Sequence, residues 1–327
     1  MSSVTKNKKM VSAGAGNVVK EFLARNGALV GLILLCIILA ISTPAFLTGA
    51  NLLNVGIQAS TIAILAFGET FAIVSAGIDL SVGAVAAFSS MVVAYTGSSM
   101  GLPAWLTILI GLAAGAGFGA LSGMANAFLK LPSFIATLAT MSIARGLTLV
   151  ISDGRPINTS GLVNFFGSTL AGIPIPIITM IVMGIVAAVI LNFTSMGRSV
   201  YAVGGNMEAS RLSGIHVHKT QIMVFVLSGI FAAVAGLVIA GRLHSVQPQA
   251  ANGYEMDAIA STVIGGASLS GGKGKISGTF VGAILLAVIR NGLNILNVSS
   301  FWQQVVIGLV IAVAVSIDTM RRKQDIH

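Results

Sequence analysis

Apolar blocks long enough to cross a bilayer recur along almost the whole of this 327-residue chain, and they leave few folds open. A helix needs about 17 to 25 residues to cross roughly 30 Å of hydrocarbon. By that ruler the blocks fall near residues 27–47, 52–75, 81–97, 104–127, 133–151, 174–193, 221–241, 256–270, 276–292 and 301–318. The third, eighth and ninth are short, so ten crossings is the expectation and eight or nine also fit. Composition agrees: 55% hydrophobic and 8% charged residues leave too little polar surface to cover a soluble core, a need that a bilayer removes. The 39 glycines and 6% aromatic content point to closely packed helices and away from a barrel with aromatic girdles. The expected class is all-α, a polytopic integral membrane protein. The single Cys36 lies inside an apolar block, where it closes no intrachain disulfide and serves as a small packing residue.

Basic residues orient the spans. With the N-terminus inside, fourteen of the 18 Lys and Arg fall on the cytoplasmic side. They are Lys6, Lys8, Lys9, Lys20, Arg25, Lys130, Arg198, Arg211, Lys219, Lys273, Lys275, Arg321, Arg322 and Lys323. Only Arg155 and Arg242 fall outside, while Arg145 and Arg290 sit within spans. Shifting the parity after any single span spoils this split, which is the positive-inside bias. The net charge of +9 is therefore topogenic and implies no nucleic acid. Residues 1–25 read as a basic cytoplasmic tail, 26–320 as the transmembrane domain with a cytoplasmic loop at 194–221, and 321–327 as a second cytoplasmic tail. The first block also resembles a secretory signal, with an apolar run from Ala28 to Ala40 and small residues at Ala40 and Ser42. Removing it would leave an odd number of spans and put the basic tails on opposite sides, so a retained span is expected.

The loop at 194–221 reads TSMGRSVYAVGGNMEASRLSGIHVHKTQ and must meet something in water. Within it, Glu208 to Ile215 follows a Gly-Gly break and suits a short amphipathic helix. Leu212 and Ile215 would share one face, with Glu208 and Arg211 three apart on another and Gly214 as terminator. Such a helix fits a soluble partner's groove, and it fits equally well lying on lipid headgroups.

Two stretches hint at duplication. Gly77-Ile78-Asp79-Leu80-Ser81 and Gly253-Tyr254-Glu255-Met256-Asp257 both read glycine, apolar, acid, apolar, polar. The topology puts the first at the inner side and the second at the outer side, the arrangement of an inverted repeat of spans 2–5 against 7–10. Chance similarity in a low-complexity membrane chain is the competing explanation.

Charges inside apolar blocks are costly and must face protein or water. Glu69, Arg145 and Arg290 are the cases here. They either line a hydrated path or lock helices together, Glu69 by pairing with an arginine and Arg290 by snorkelling from a span end. Glu69, Asp79, Ser81, Thr137, Thr140, Arg145 and Asn291 are the candidate path residues, with Asn158 near a span end. Hydroxyl and amide groups outnumber charges in that set, which suits a polyol better than an ion.

Catalytic motifs are missing: there is no H-E-x-x-H, no paired Cys and no G-x-S-x-G. His216 and His218 alternate beside Lys219, a pattern commoner on solvated surfaces than in metal sites. The run Gly265 to Gly274 imitates a phosphate loop but has Ala267 for the first required glycine and Gly274 for the required Ser or Thr. It reads as a tight inner connection with Lys273 and Lys275 holding topology.

GIDLSVG (Gly77 to Gly83), GRPINT (Gly154 to Thr159), GRSVYAVGGN followed by EASRLSGI (Gly197 to Ile215), the RLHSVQP segment after Gly241, and GYEMDAIASTVIGGASLSGGKG (Gly253 to Gly274) resemble the permease subunits of ribose-type ABC sugar importers. The resemblance covers nearly everything beyond about residue 25. It implies a transport subunit without cofactor, paired with a second permease copy or paralogue. It also implies a cytoplasmic ATP-binding subunit that hydrolyses ATP, an extracytoplasmic sugar-binding protein, and alternating access in the bacterial cytoplasmic membrane. It carries Glu208, Ala209, Arg211, Leu212, Gly214 and Ile215 over as the ATPase contact. Glu69 departs from the family's pattern, which usually has Met or another uncharged residue there. A ribose-like pentose is the expected cargo. Permeases for nucleosides, inositol, autoinducer-2 or branched-chain amino acids share the layout, and a secondary transporter would need more intramembrane carboxylates than Glu69.

Overall fold

The computed structural model describes residues 27–159 and 161–325. The expected tail at 1–25 lies outside them, as do the last two residues of the C-terminal tail.

The apolar blocks become helices α1 (Gly27–Ser42), α2 (Gly49–Val74), α3 (Val82–Ser98), α4 (Ala104–Phe128), α5 (Ser133–Ser152), a short α6 (Leu162–Phe165) and α7 (Ile175–Phe193). After them come α8 (Ser195–Gly205), α9 (Met207–Leu212), α10 (Val217–Leu243), α11 (Tyr254–Ile264), α12 (Ile276–Ile295) and α13 (Ser300–Asp325). Six of these, α2, α4, α5, α7, α10 and α12, are long and apolar enough to cross a membrane. Helices α1 and α3 and the Ser300–Val313 part of α13 are apolar but shorter. The protein is all-α and polytopic.

The block at 256–270 departs from expectation. Helix α11 stops at Ile264, and the chain turns at Gly265 and at Gly266, whose φ is +93°. Its 11 residues span about 16 Å, too little to cross the hydrocarbon alone.

Helix α2 is the axis of the bundle and is buried from Ala59 through Val74, with α7, α10, α11 and α12 packed around it. Helix α4 lies against α10 along Gly115, Gly119 and Gly123, and the same row of glycines at every fourth residue continues to Gly111, which packs on α3 at Ser89 and Val93. A methyl group on Gly115 would sit 2.5 Å from the Gly229 carbonyl oxygen, and one on Gly119 would collide with the Phe225 backbone. Bare backbone is what lets these helices approach so closely. At one end of the bundle, β1 (Ile157–Asn158) pairs antiparallel with β4 (Ser245–Val246), tying the loop after α5 to the loop after α10. A second two-residue pair joins β2 (Thr169–Leu170) to β3 (Ile173–Pro174).

Both short helices α3 and α11 begin in the interior, and their beginnings touch. A methyl group on Gly83 would lie 2.5 Å from the Ala251 carbonyl oxygen and from Glu255 Oε2. The two similar pentapeptides, assigned by basic-residue counting to opposite membrane faces, thus lead into neighbouring buried segments.

Candidate docking helix and buried polar joint

The polar loop folds into two helices where one was expected. Thr194 caps α8, its Oγ1 accepting from the Gly197 N–H at 3.2 Å. Val200, Val203 and the glycines 197 and 204 form the buried face of α8. Asn206 ends α8 and caps α9, its Oδ1 accepting from the Ala209 N–H at 2.9 Å. The candidate docking helix is therefore Met207–Leu212, six residues, and not Glu208 to Ile215. Gly214, at φ +82°, ends it, and the Ile215 N–H returns to the Ser210 carbonyl at 3.0 Å, a glycine C-cap. Ile215 thus lies beyond the helix and is half-buried, while Leu212 is 86% exposed. Glu208 and Arg211 pair at 3.0 Å with their side chains in solvent, and Ala209 is exposed beside them.

The break between α2 and α3 is a closed polar joint. Asp79 is 1% exposed, and its Oδ1 accepts from both the Ser81 N–H (2.9 Å) and the Ser81 hydroxyl (2.6 Å). Its Oδ2 accepts from the Ser228 hydroxyl on α10 at 2.7 Å. The Asp79 N–H donates to Glu69 Oε1 at 3.1 Å. Two hydroxyls of α5 hold the same segment: Ser133 Oγ accepts from the Ile78 N–H and Thr137 Oγ1 from the Leu80 N–H, both at 3.1 Å. Side chains therefore satisfy backbone groups that the helix break frees, a requirement wherever water is excluded. The carboxylate also faces the first turn of α3, where the helix dipole favours negative charge.

The candidate path residues divide. Glu69, Asp79, Ser81 and Thr137 come together at this joint. Thr140 instead accepts from the Ser122 hydroxyl across α4 and α5 at 2.8 Å. Arg145 donates to the carbonyls of Pro248 (3.2 Å) and Ala250 (2.8 Å), pinning the loop ahead of α11. Asn291 exchanges amide hydrogen bonds with Asn51 at 2.8 and 3.0 Å. Asn158 lies in β1 and lines a cleft beside the start of α4. Glu69 is fully buried and, among the described residues, pairs with no arginine. Arg290 forms an ion pair with buried Asp257 at 2.5 Å, locking α12 to α11. Sequence reasoning missed Ser228, the single serine of a long apolar helix with no neighbouring signal, and Ser133.

Six helices long and apolar enough to cross a membrane, packed around a buried polar joint, define a multi-pass membrane protein. The family model described as branched-chain amino acid transport system / permease component matches residues 51–315, and the chain belongs to that family. It is 46% identical over 296 residues to the ribose import permease protein of Bacillus subtilis, covering 89% of this chain and 92% of the relative. The ribose import permease protein of Haemophilus influenzae is 44% identical over 304 residues, covering 91% and 94%. The D-allose transport system permease protein of Escherichia coli is 40% identical over 294 residues, covering 89% and 90%. No solved structure matches the chain. As a permease component the chain is a transport subunit and not an enzyme; ATP hydrolysis belongs to a separate ATPase.

Proposed function

We propose that this chain is the membrane-spanning subunit of an ATP-driven importer that moves a ribose-like monosaccharide by alternating access. The observation that carries this reading is similarity to ribose import permeases at 42–46% identity over 89–93% of the chain. Relatives for D-allose and L-arabinose extend the sugar theme, whereas the branched-chain amino acids enter only through the family description.

A cytoplasmic ATP-binding subunit docks on α9 through Met207 to Leu212 and the Gly214–Ile215 turn, and an extracytoplasmic binding protein delivers the sugar. A second permease copy or paralogue completes the path. ATP-driven closure of the partner moves α9, and the bundle rocks around the region of Glu69, Asp79, Ser81 and Thr137. Both tails face the cytoplasm, with 26–320 as the membrane domain. Ten crossings remain compatible with the short α11 when the extended stretch 244–253 and α11 together make the eighth, as the 75–81 segment and α3 make the third. The adjoining starts of α3 and α11 support the inverted repeat of spans 2–5 and 7–10.

Radiolabelled uptake tests the cargo. Cells whose only permease for the system is this chain, supplied with its ATPase and binding protein, take up ribose in competition with related sugars. Uptake of leucine with no uptake of ribose would contradict the reading. Reporter fusions after Lys219 and Gln249 give cytoplasmic and external signals respectively, and an external signal at Lys219 would remove the docking assignment.

A further inference from the structure

Three backbones meet next to α9 with no side chain between them. The first is the end of α2 at Val74, the second the end of α8 at Gly204 and Gly205, and the third the loop between α11 and α12 at Gly271 and Gly272. The Gly272 N–H donates to the Val74 carbonyl at 2.8 Å. A methyl group on Gly204 would collide with that same carbonyl and lie 2.8 Å from Gly272 N. One on Gly271 would lie 2.6 Å from the Gly204 carbonyl oxygen. Gly271 and Gly272 have φ of +84° and +73°, a conformation that glycine adopts without strain. The Tyr201 hydroxyl, on α8, donates to the Gly274 carbonyl at 2.7 Å and fastens the loop to the helix. Burial raises the Tyr201 phenol above its ordinary pKa, so it stays a donor.

Only Asn206 separates α8 from α9. Side-chain rotamers absorb small shifts between packed helices, but backbone in direct contact with backbone has no such slack. A displacement of α9 therefore reaches Val74 directly, and Val74 ends the helix that carries Glu69 and leads into the Asp79 segment. It also reaches the loop joining α11 to α12. We infer that this three-backbone joint transmits movement of the docking helix to the Asp79 segment and to the loop joining α11 to α12, with Tyr201 as a positioning residue for that step. The inference rests on the docking of an ATPase at α9.

The test uses the complete transporter in proteoliposomes, with ATP hydrolysis measured with and without ribose-loaded binding protein. Tyr201→Phe removes one hydroxyl and no packing. Losing one neutral hydrogen bond weakens the coupling by about three- to tenfold. The expected result is a fall of that size in the ratio of stimulated to unstimulated hydrolysis, with ATPase retention and melting temperature as in the unaltered complex. Gly204→Ala abolishes stimulation; if it fails to assemble, Tyr201→Phe decides. A normal ratio in Tyr201→Phe overturns the joint's role alone, and so does loss of ATPase retention in that variant, which would make Tyr201 part of the docking surface. If the unaltered chain retains no ATPase, the docking reading fails and the joint's role fails with it.

Discussion

Helix α9 is held by bonds that reach no further than five residues, from Asn206 to Ala209 and Ser210 and from Ser210 to Ile215. The segment at Asp79 is held by Ser133, Thr137 and Ser228, whose bonds span 55, 57 and 149 residues. A locally capped helix can present any side chain outward, because its stability does not depend on what Leu212 touches. A joint built from distant hydroxyls closes only when α2, α5 and α10 are already in place. The first element is therefore free to vary in its outward side chains, while the second is fixed by the fold.

Substitutions at the two elements should accordingly differ in kind. The largest effect is expected for Asp79→Leu, which leaves the Ser81 N–H and the hydroxyls of Ser81 and Ser228 without their acceptor. Each stranded buried group costs about 1–3 kcal/mol. Thermal unfolding in detergent should show little or no folded protein, and a normal melting temperature would remove the joint from the account.

Glu69 comes next. Glu69→Leu deletes the acceptor of the Asp79 N–H, for a loss of about 1–3 kcal/mol. Glu69→Gln keeps a carbonyl oxygen for that N–H, but its amide NH2 takes the place of Oε2, which has no partner among the described residues, so it is expected to be the milder change without being neutral. Equal melting temperatures for the two variants would show that the bond to Asp79 contributes no more than the stranded amide costs. The smallest effect belongs to Glu208→Ala, since an exposed i,i+3 pair is worth less than about 0.5 kcal/mol. Both stability and ribose uptake should stay near those of the unaltered chain, and a large loss of either would give the Glu208–Arg211 pair a role that its exposure does not suggest.

The same contrast explains what could be read in the chain before its structure. The helical class follows from the apolar blocks, and the exposed helix α9 from a polar interruption whose caps, Asn206 and Gly214, are local. Helix α8 was missed although Gly197, Val200 and Val203 recur at a spacing of three, a helical signal obscured by the surrounding glycines. At the joint, Glu69, Asp79, Ser81 and Thr137 stood out as polar residues at or within apolar blocks, but nothing nearby in sequence says which of them meet. Thr140, Arg145 and Asn291 carry the same signature and fasten other pairs of elements instead. Ser228 was invisible because one serine in a long apolar helix is compatible with a bond to its own backbone as readily as with a distant carboxylate. The short α11 reads as part of a span in the sequence because apolar length counts residues without seeing the turn at Gly265 and Gly266.

The docking assignment at α9 is tested most directly by Leu212→Asp in the purified complex. Truncating or reversing an interface anchor typically costs about 1–4 kcal/mol of binding. The expected result is a chain with the melting temperature of the unaltered protein that no longer retains its ATPase subunit and supports no ribose uptake. Full retention with full binding-protein-stimulated hydrolysis would show that Leu212 is not an anchor, and a collapse in stability like that expected for Asp79→Leu would show that α9 is not free of the fold.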